Sequence, residues 1–140
     1  MIRIAEAADV DAILAFDPLA QHGDTERIAA IRSHVADGHT LVVQDGPSVV
    51  AYLLALPRHF FGRDFIELLI VHPEHRRRGL GSSLVAAAVS AAKTDRVFTS
   101  TNQSNGPMKA LLASEGWTLS GTLDGLDPGD PEEVYWIDCA

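Results

Sequence analysis

The stretch Leu69-Ile70-Val71-His72-Pro73-Glu74-His75-Arg76-Arg77-Arg78-Gly79-Leu80-Gly81-Ser82-Ser83 constrains this chain more than any other. Before it runs Phe65 to Val71, apolar on both faces except for Glu67, which reads as a central strand whose pairing Pro73 ends. After it, Ser82 to Lys93 carries Ala, Leu and Val at helical spacing. The chain therefore passes from a buried strand into a helix through three arginines and two glycines, an arrangement suited to an anion. N–H groups at a helix start carry partial positive charge, glycines let a phosphate approach the backbone, and guanidinium groups add forked donors. With 19 acidic against 11 basic residues and a net charge of −8, three consecutive arginines stand out from their background. The bland alternative is a solvated basic loop with a glycine turn. Two familiar phosphate loops do not fit: no Gly-Lys-Ser/Thr follows, and Pro73 to Arg78 separates the first glycine from the strand.

The rest of the 140 residues reads as one domain, residues 1–140, without repeat, linker or low-complexity tract. Ile2 to Ile4 is a short opening strand, and a helix starting near Ala8-Asp9 buries Val10, Ile13 and Leu14 before Asp17-Pro18 stops it. Asp24-Thr25-Glu26 starts a second helix with Ile28, Ile31 and Val35 on its apolar face, closing at Gly38. Thr40 to Gln44 and Val49 to Leu56 form a hairpin around Asp45-Gly46-Pro47-Ser48, and Arg58 to Arg63 is a loop. Val97 to Thr101 is a strand, Asn105-Gly106-Pro107 opens a helix to Glu115, and Trp117 to Leu119 and Val134 to Ile137 close the chain as strands. The order β-α-α-β-β-β-α-β-α-β-β is an α+β sandwich around one mixed sheet.

Arg76, Gly79 and Gly81 match the pattern Arg/Gln, two residues, Gly, one residue, Gly/Ala, and Val71-His72-Pro73 precedes them as Val-x-Pro. Asn105, Leu111 and Gly116-Trp117 follow at the spacing of a second motif. Together these resemble the GNAT superfamily of acetyl-CoA dependent N-acyltransferases, and the element order extends the resemblance over almost the whole chain. It implies a GNAT-like three-layer sandwich with a mixed, mostly antiparallel sheet splayed between strands 4 and 5. The coenzyme's pyrophosphate is then expected on Arg76, Arg77, Arg78, Gly79, Leu80, Gly81, Ser82 and Ser83. Its pantetheine arm is expected to pair with Leu69, Ile70 and Val71 and to touch Asn105. The N–H of Val71 becomes the donor to the thioester carbonyl, and Glu67 the candidate general base, with an ion pair to Arg58 or Arg63, or a strand-end carboxylate reaching water, as its structural alternatives. The family's frequent tyrosine general acid is absent, because Leu112 stands seven residues after Asn105. Tyr135 and Ser114 are weak substitutes.

The implied activity is acetyl transfer from acetyl-CoA, as co-substrate, to a primary amine through a ternary complex. An acyl-CoA-binding module without efficient chemistry is the alternative that Leu112 suggests. Phe60 and Phe61 are candidates for an acceptor pocket, with Phe16 and His22 as its other wall. Asp124, Asp127 and Asp130, in the acidic stretch Asp124 to Glu133, are candidates to guide a cationic amine against the plainer reading of a solvated charge run. His72 and His75 lie three apart without an obvious third ligand, so no metal is expected. The only basic cluster is assigned to the coenzyme, so nucleic acid is not an expected partner. An exposed strand edge is compatible with a homodimer. The lone Cys139, beside Asp138, excludes an internal disulfide framework and suggests no nucleophile. Neither a secretory signal nor a membrane span is evident, and the expected location is cytoplasmic.

Overall fold

The computed structural model describes residues 1–139 and contains a seven-stranded mixed sheet with four α-helices. Its strands are β1 (Ile2–Ile4), β2 (Thr40–Asp45), β3 (Ser48–Phe60), β4 (Arg63–Val71), β5 (Arg96–Asn102), β6 (Thr118–Leu123) and β7 (Glu132–Asp138), ordered β1-β2-β3-β4-β5-β7-β6. The helices are α1 (Val10–Phe16), α2 (Thr25–Ala36), α3 (Leu80–Ala91) and α4 (Gly106–Ser114). Two compact units share these elements: Met1–Ala55 with Leu68–Ala87, and Leu56–Glu67 with the chain from Ala88 onward.

In the first unit, β1 pairs antiparallel with β2, and β2 with β3, the latter ladder shifting by a bulge between Val43 and Gln44. Of the apolar stripes anticipated for α1 and α2, Val10, Ile13, Ile31 and Val35 are buried with Val42 and Tyr52, Leu14 and Ile28 are partly buried against them, and Phe16, expected as a pocket wall, joins the cluster. Leu68 and Ile70 of β4 pack against the same cluster. Asp17, fully buried, ends α1 and becomes a hub. It accepts hydrogen bonds from the Tyr52 hydroxyl (2.5 Å), the Arg27 guanidinium (2.8 Å) and the N–H groups of Leu19 and Ala20. Burial pushes its carboxyl up, and these donors together outweigh that and hold it below the usual carboxylate range. Asp24 caps α2 by accepting from the Arg27 N–H at 2.9 Å.

In the second unit, β5 and β7 pair antiparallel from Arg96 opposite Asp138 to Asn102 opposite Glu132, and β6 lies outside β7, exposed along its whole length. The stretch 58–63 departs from the expected loop: β3 continues to Phe60, only Phe61 and Gly62 turn, and β4 starts at Arg63. Phe61 and Gly62 both have positive φ (49° and 80°), the conformation of a tight turn that suits the strand twist. A phenylalanine there carries none of the usual Asn or Gly signature, so the sequence did not announce it. The parallel pairing of β4 with β5 covers Asp64–Ile66 opposite Val97–Thr99 and stops, so the two strands splay beyond it, as the resemblance implies. Among the described residues no helix is long and apolar enough to cross a membrane.

Candidate functional site

The end of β4 lies in the first unit. There the His72 N–H donates to the Val50 carbonyl of β3 at 2.8 Å. Successive amides of an extended chain point to opposite sides, so the N–H of Val71 faces away from β3, beyond the last residue of β4 that pairs with β5. This is the donor that the resemblance assigns to the thioester carbonyl. A 3-10 turn over Pro73–His75 follows, with the Glu74 N–H donating to His72 Nδ1 at 3.1 Å. The His72 ring rests on buried Phe16, centroids 5.6 Å apart, and His75 meets it edge-on at 5.2 Å. Phe16 is therefore a packing residue, and exposed His22 has no part in that packing.

The arginine loop is exposed through Arg76, Arg77, Arg78 and Gly79. Arg77 adopts φ 64° and Gly79 φ 75°, two left-handed residues that curl the backbone just before α3. Such curls turn consecutive N–H groups toward a common point. At Gly79 an added Cβ would meet nothing within 4 Å, so the glycine answers to backbone strain rather than crowding. The first hydrogen bond of α3 is Ser83 N–H to Gly79 C=O, 3.1 Å, which leaves the amides of Leu80, Gly81 and Ser82 without an intrahelical acceptor. Gly79 has no side chain to cap them. Arg78 reaches Asp45 at 3.5 Å and His75 Nε2 lies 3.9 Å from the same carboxylate, a restraint on the loop that the sequence did not reveal. A phosphate-bearing ligand fits these donors.

The second strand-to-helix junction lies in the other unit, between β5 and α4. Asn105 is the N-cap of α4, its Oδ1 accepting from the Met108 N–H at 3.1 Å. The acidic loop closes over this junction. Asp130 accepts from the Ser104 N–H (3.0 Å) and hydroxyl (2.6 Å), Asp127 from Asn102 Nδ2 (2.8 Å), and the Pro131 carbonyl from the Gln103 N–H (2.8 Å). Asp124 and Asp127 line a cavity of about 270 Å³ within the loop. Of the three acids expected to attract an amine, Asp127 and Asp130 are thus already engaged, and anchoring the segment 102–104 is a role that sequence reasoning missed. Nothing local in the sequence connects residues so far apart.

Glu67 is exposed in the middle of β4 between buried Ile66 and inward-packed Leu68. Arg63, one of its expected structural partners, pairs instead with Asp95 at 3.2 Å. That salt bridge, with burial working against it, holds the Asp95 carboxyl below its ordinary range. Phe60 stacks on Phe65 and leans on Phe98, both at 5.1 Å, while Phe61 is 85% exposed and meets Phe60 edge-on. These rings form an apolar hairpin tip. Leu112 is fully buried, so the position at which many relatives of the resembled family carry a tyrosine belongs to the core here. The Ser114 hydroxyl donates to the Leu111 carbonyl at 2.8 Å. Tyr135 is buried and donates to Glu133 at 2.9 Å, and burial together with that carboxylate pushes its phenol up to about 12. Both substitutes for the missing tyrosine are therefore occupied. Burial, followed by the charges of Asp64, Asp138 and Asp95, raises the Cys139 thiol, which argues against a thiolate nucleophile.

Comparison with known proteins gives consistent results. The family model described as Acetyltransferase (GNAT) family matches residues 7–117. A mycothiol acetyltransferase of Kineococcus radiotolerans is 33% identical over 121 residues, 81% of this chain, and the chain spans 40% of that protein's length. A crystal structure of a GNAT-family acetyltransferase from Bacillus cereus superposes with a TM-score of 0.91 at 32% identity, over 99% of this chain and 96% of the other. YncA from Salmonella typhimurium, solved with its cofactor acetyl-CoA, shares the fold at a TM-score of 0.79 and 20% identity, over 100% of this chain and 94% of the other.

Proposed function

The chain belongs to the GNAT acetyltransferase family, and on that premise we propose that it binds acetyl-CoA at the β4–α3 junction and acetylates a primary amine in a ternary complex. The observation that carries this reading is the junction itself: a Val71 N–H turned away from β3, followed by the uncapped start of α3 behind an arginine loop. Acetyl-CoA, when bound, supplies an activated acetyl group and a thiol leaving group. The residues of the chain do the rest. The amides of Leu80, Gly81 and Ser82 and the guanidinium groups of Arg76 and Arg77 neutralise the pyrophosphate. The edge of β4 at Leu69 and Val71 pairs with the pantetheine amides as a further strand would.

The Val71 N–H donates to the acetyl carbonyl oxygen, a bond that strengthens as the oxygen gains negative charge and so lowers the barrier. Glu67, exposed and on the reacting strand, takes the proton that an amine with a reference pKa of about 10.4 must lose before attack, directly or through water. A thiol of reference pKa about 8.5 leaves with little help, which suits a chain in which Leu112 is buried and Tyr135 is committed to Glu133. The same buried Leu112 favours a second reading, an acyl-CoA-binding module of little activity.

Calorimetric titration of acetyl-CoA, run beside free-thiol release with a panel of polyamines, amino sugars and lysine peptides, tests both. Saturable binding is expected in wild type, weakened about a hundredfold or more by Gly81→Trp, which fills the approach to the helix start. Amine-dependent thiol release that Glu67→Gln lowers about a hundredfold, with affinity for acetyl-CoA retained, supports the enzyme. Binding without turnover on any amine favours the module. Absence of binding overturns the reading.

A further inference from the structure

The C-terminus of α2 carries a cluster with no part in the function proposed above. The helix closes with Asp37 as its C-cap and Gly38 at φ 78°, the Gly38 N–H donating to the Val35 carbonyl (3.1 Å) and the His39 N–H to the His34 carbonyl (3.0 Å). This bond pattern is a Schellman turn, in which the third residue from the helix end meets the second residue after the cap, usually through an apolar contact. Here both positions are histidines. Their ring centroids lie 6.2 Å apart at a tilt of 33°. The Nδ1 atoms of both are shielded from solvent and lack a hydrogen-bond partner among the described residues. A buried imidazole nitrogen without a partner is unfavourable, and each of these neighbouring rings carries one, which points to a missing partner. Asp37 completes the group: one ligand atom from each of His34, Asp37 and His39 lies within 4.8 Å of the other two.

We propose that His34, Asp37 and His39 form a binding site for one divalent transition-metal ion of the zinc type. Two imidazoles and a carboxylate are the donor set that zinc takes, with water in the fourth position, whereas magnesium and calcium prefer all-oxygen shells. Tetrahedral donors at about 2.1 Å from an ion stand roughly 3.4 Å apart, so the three donors, all within 4.8 Å of one another, reach that spacing by small side-chain rotations. The negative end of the α2 dipole faces the site and favours a cation there. The bound ion ties the last turn of α2 to the residue that precedes β2, so it acts on the stability of this corner.

Titration of zinc chloride into the chelator-treated full chain tests the site, independently of acetyl-CoA. One saturable equivalent is expected, with a rise in Tm of roughly 5 °C at excess zinc and no response to magnesium. His34→Gln and His39→Gln each weaken uptake about tenfold or more, and His22→Gln, at an exposed histidine elsewhere, leaves it unchanged. Absence of saturable uptake, or uptake that His34→Gln and His39→Gln do not weaken, overturns the proposal. Should these variants fail to fold, cobalt absorption of the wild type decides: intense four-coordinate bands support the site, and the weak bands of the hydrated ion overturn it.

Discussion

The two strand-to-helix junctions of this protein are built in opposite ways. Between β4 and α3 the glycine before the helix carries no side chain to cap it, the amides of Leu80, Gly81 and Ser82 have no intrahelical acceptor, and the loop is curled by Arg77 and Gly79. Between β5 and α4 the Asn105 side chain caps the helix, and Asp127, Asp130 and the Pro131 carbonyl hold residues 102–104. A helix N-terminus always presents orphan donors, and what differs is who satisfies them. The chain satisfies its own donors at α4 and leaves those of α3 open, which is where the proposed function puts the anion of the coenzyme.

Gly79→Asp attacks this contrast most directly, because it brings a carboxylate to the open helix start, at a cost in backbone strain. A carboxylate there occupies the amides and repels pyrophosphate, and acetyl-CoA affinity is expected to fall by about thirtyfold or more in a calorimetric titration. A variant that stays folded and binds normally would show that the open helix start is not the anion site.

Next in size is the closed junction. Asn105→Ala removes the cap and is expected to cost about 1 kcal/mol in urea unfolding. Asn105→Asp keeps the capping oxygen and replaces the amide NH₂, so it separates the two roles of this residue. Stability retained with acetyl-CoA affinity lost assigns the NH₂ group to the ligand, whereas both retained makes Asn105 a cap alone.

The smallest effect is in pH. The Tyr135 hydroxyl bond, opposed by burial and helped by Lys109, holds the Glu133 carboxyl below its ordinary range. Lys109, 3.5 Å from Glu133, also donates to the Gln103 carbonyl at 3.3 Å in the closed junction. A carboxyl depressed on folding stabilises above its unfolded pKa, near 4.5, and loses that contribution as pH falls through the folded value. Amide exchange of Gln103 and Ser104 should therefore lose protection below about pH 4.5, once corrected for the intrinsic rate, while Ser83, in the arginine-built junction, does not respond. Equal response of both would remove the distinction.

Local patterns made most of the fold legible in advance. The apolar stripes of α1 and α2, the Asp24 cap, the close at Gly38 and the strand run 65–71 all express short-range periodicity and turn chemistry that a sequence carries on its face. The β4–α3 junction was legible for the same reason, since Arg76, Gly79 and Gly81 lie within six residues. Phe61 was not, because a left-handed phenylalanine follows from the strands it joins rather than from its own preference. The acidic loop showed only its charge. Its task depends on Ser104 and Asn102, more than twenty positions away.

By itself the sequence determined the element order, most of the faces that are buried and the position of the arginine-glycine turn before α3, because each rests on contacts between near neighbours along the chain. Only the tertiary structure decided which way the Val71 N–H points, that Leu112 is core, that Asp130 serves Ser104, and that His34 and His39 meet with Asp37 beside them. Most of these depend on which strand or loop comes to lie alongside, a choice made by burial of the whole apolar surface at once. The histidine pair is local in sequence, yet its meaning came from the shielding of two ring nitrogens, which only packing produces.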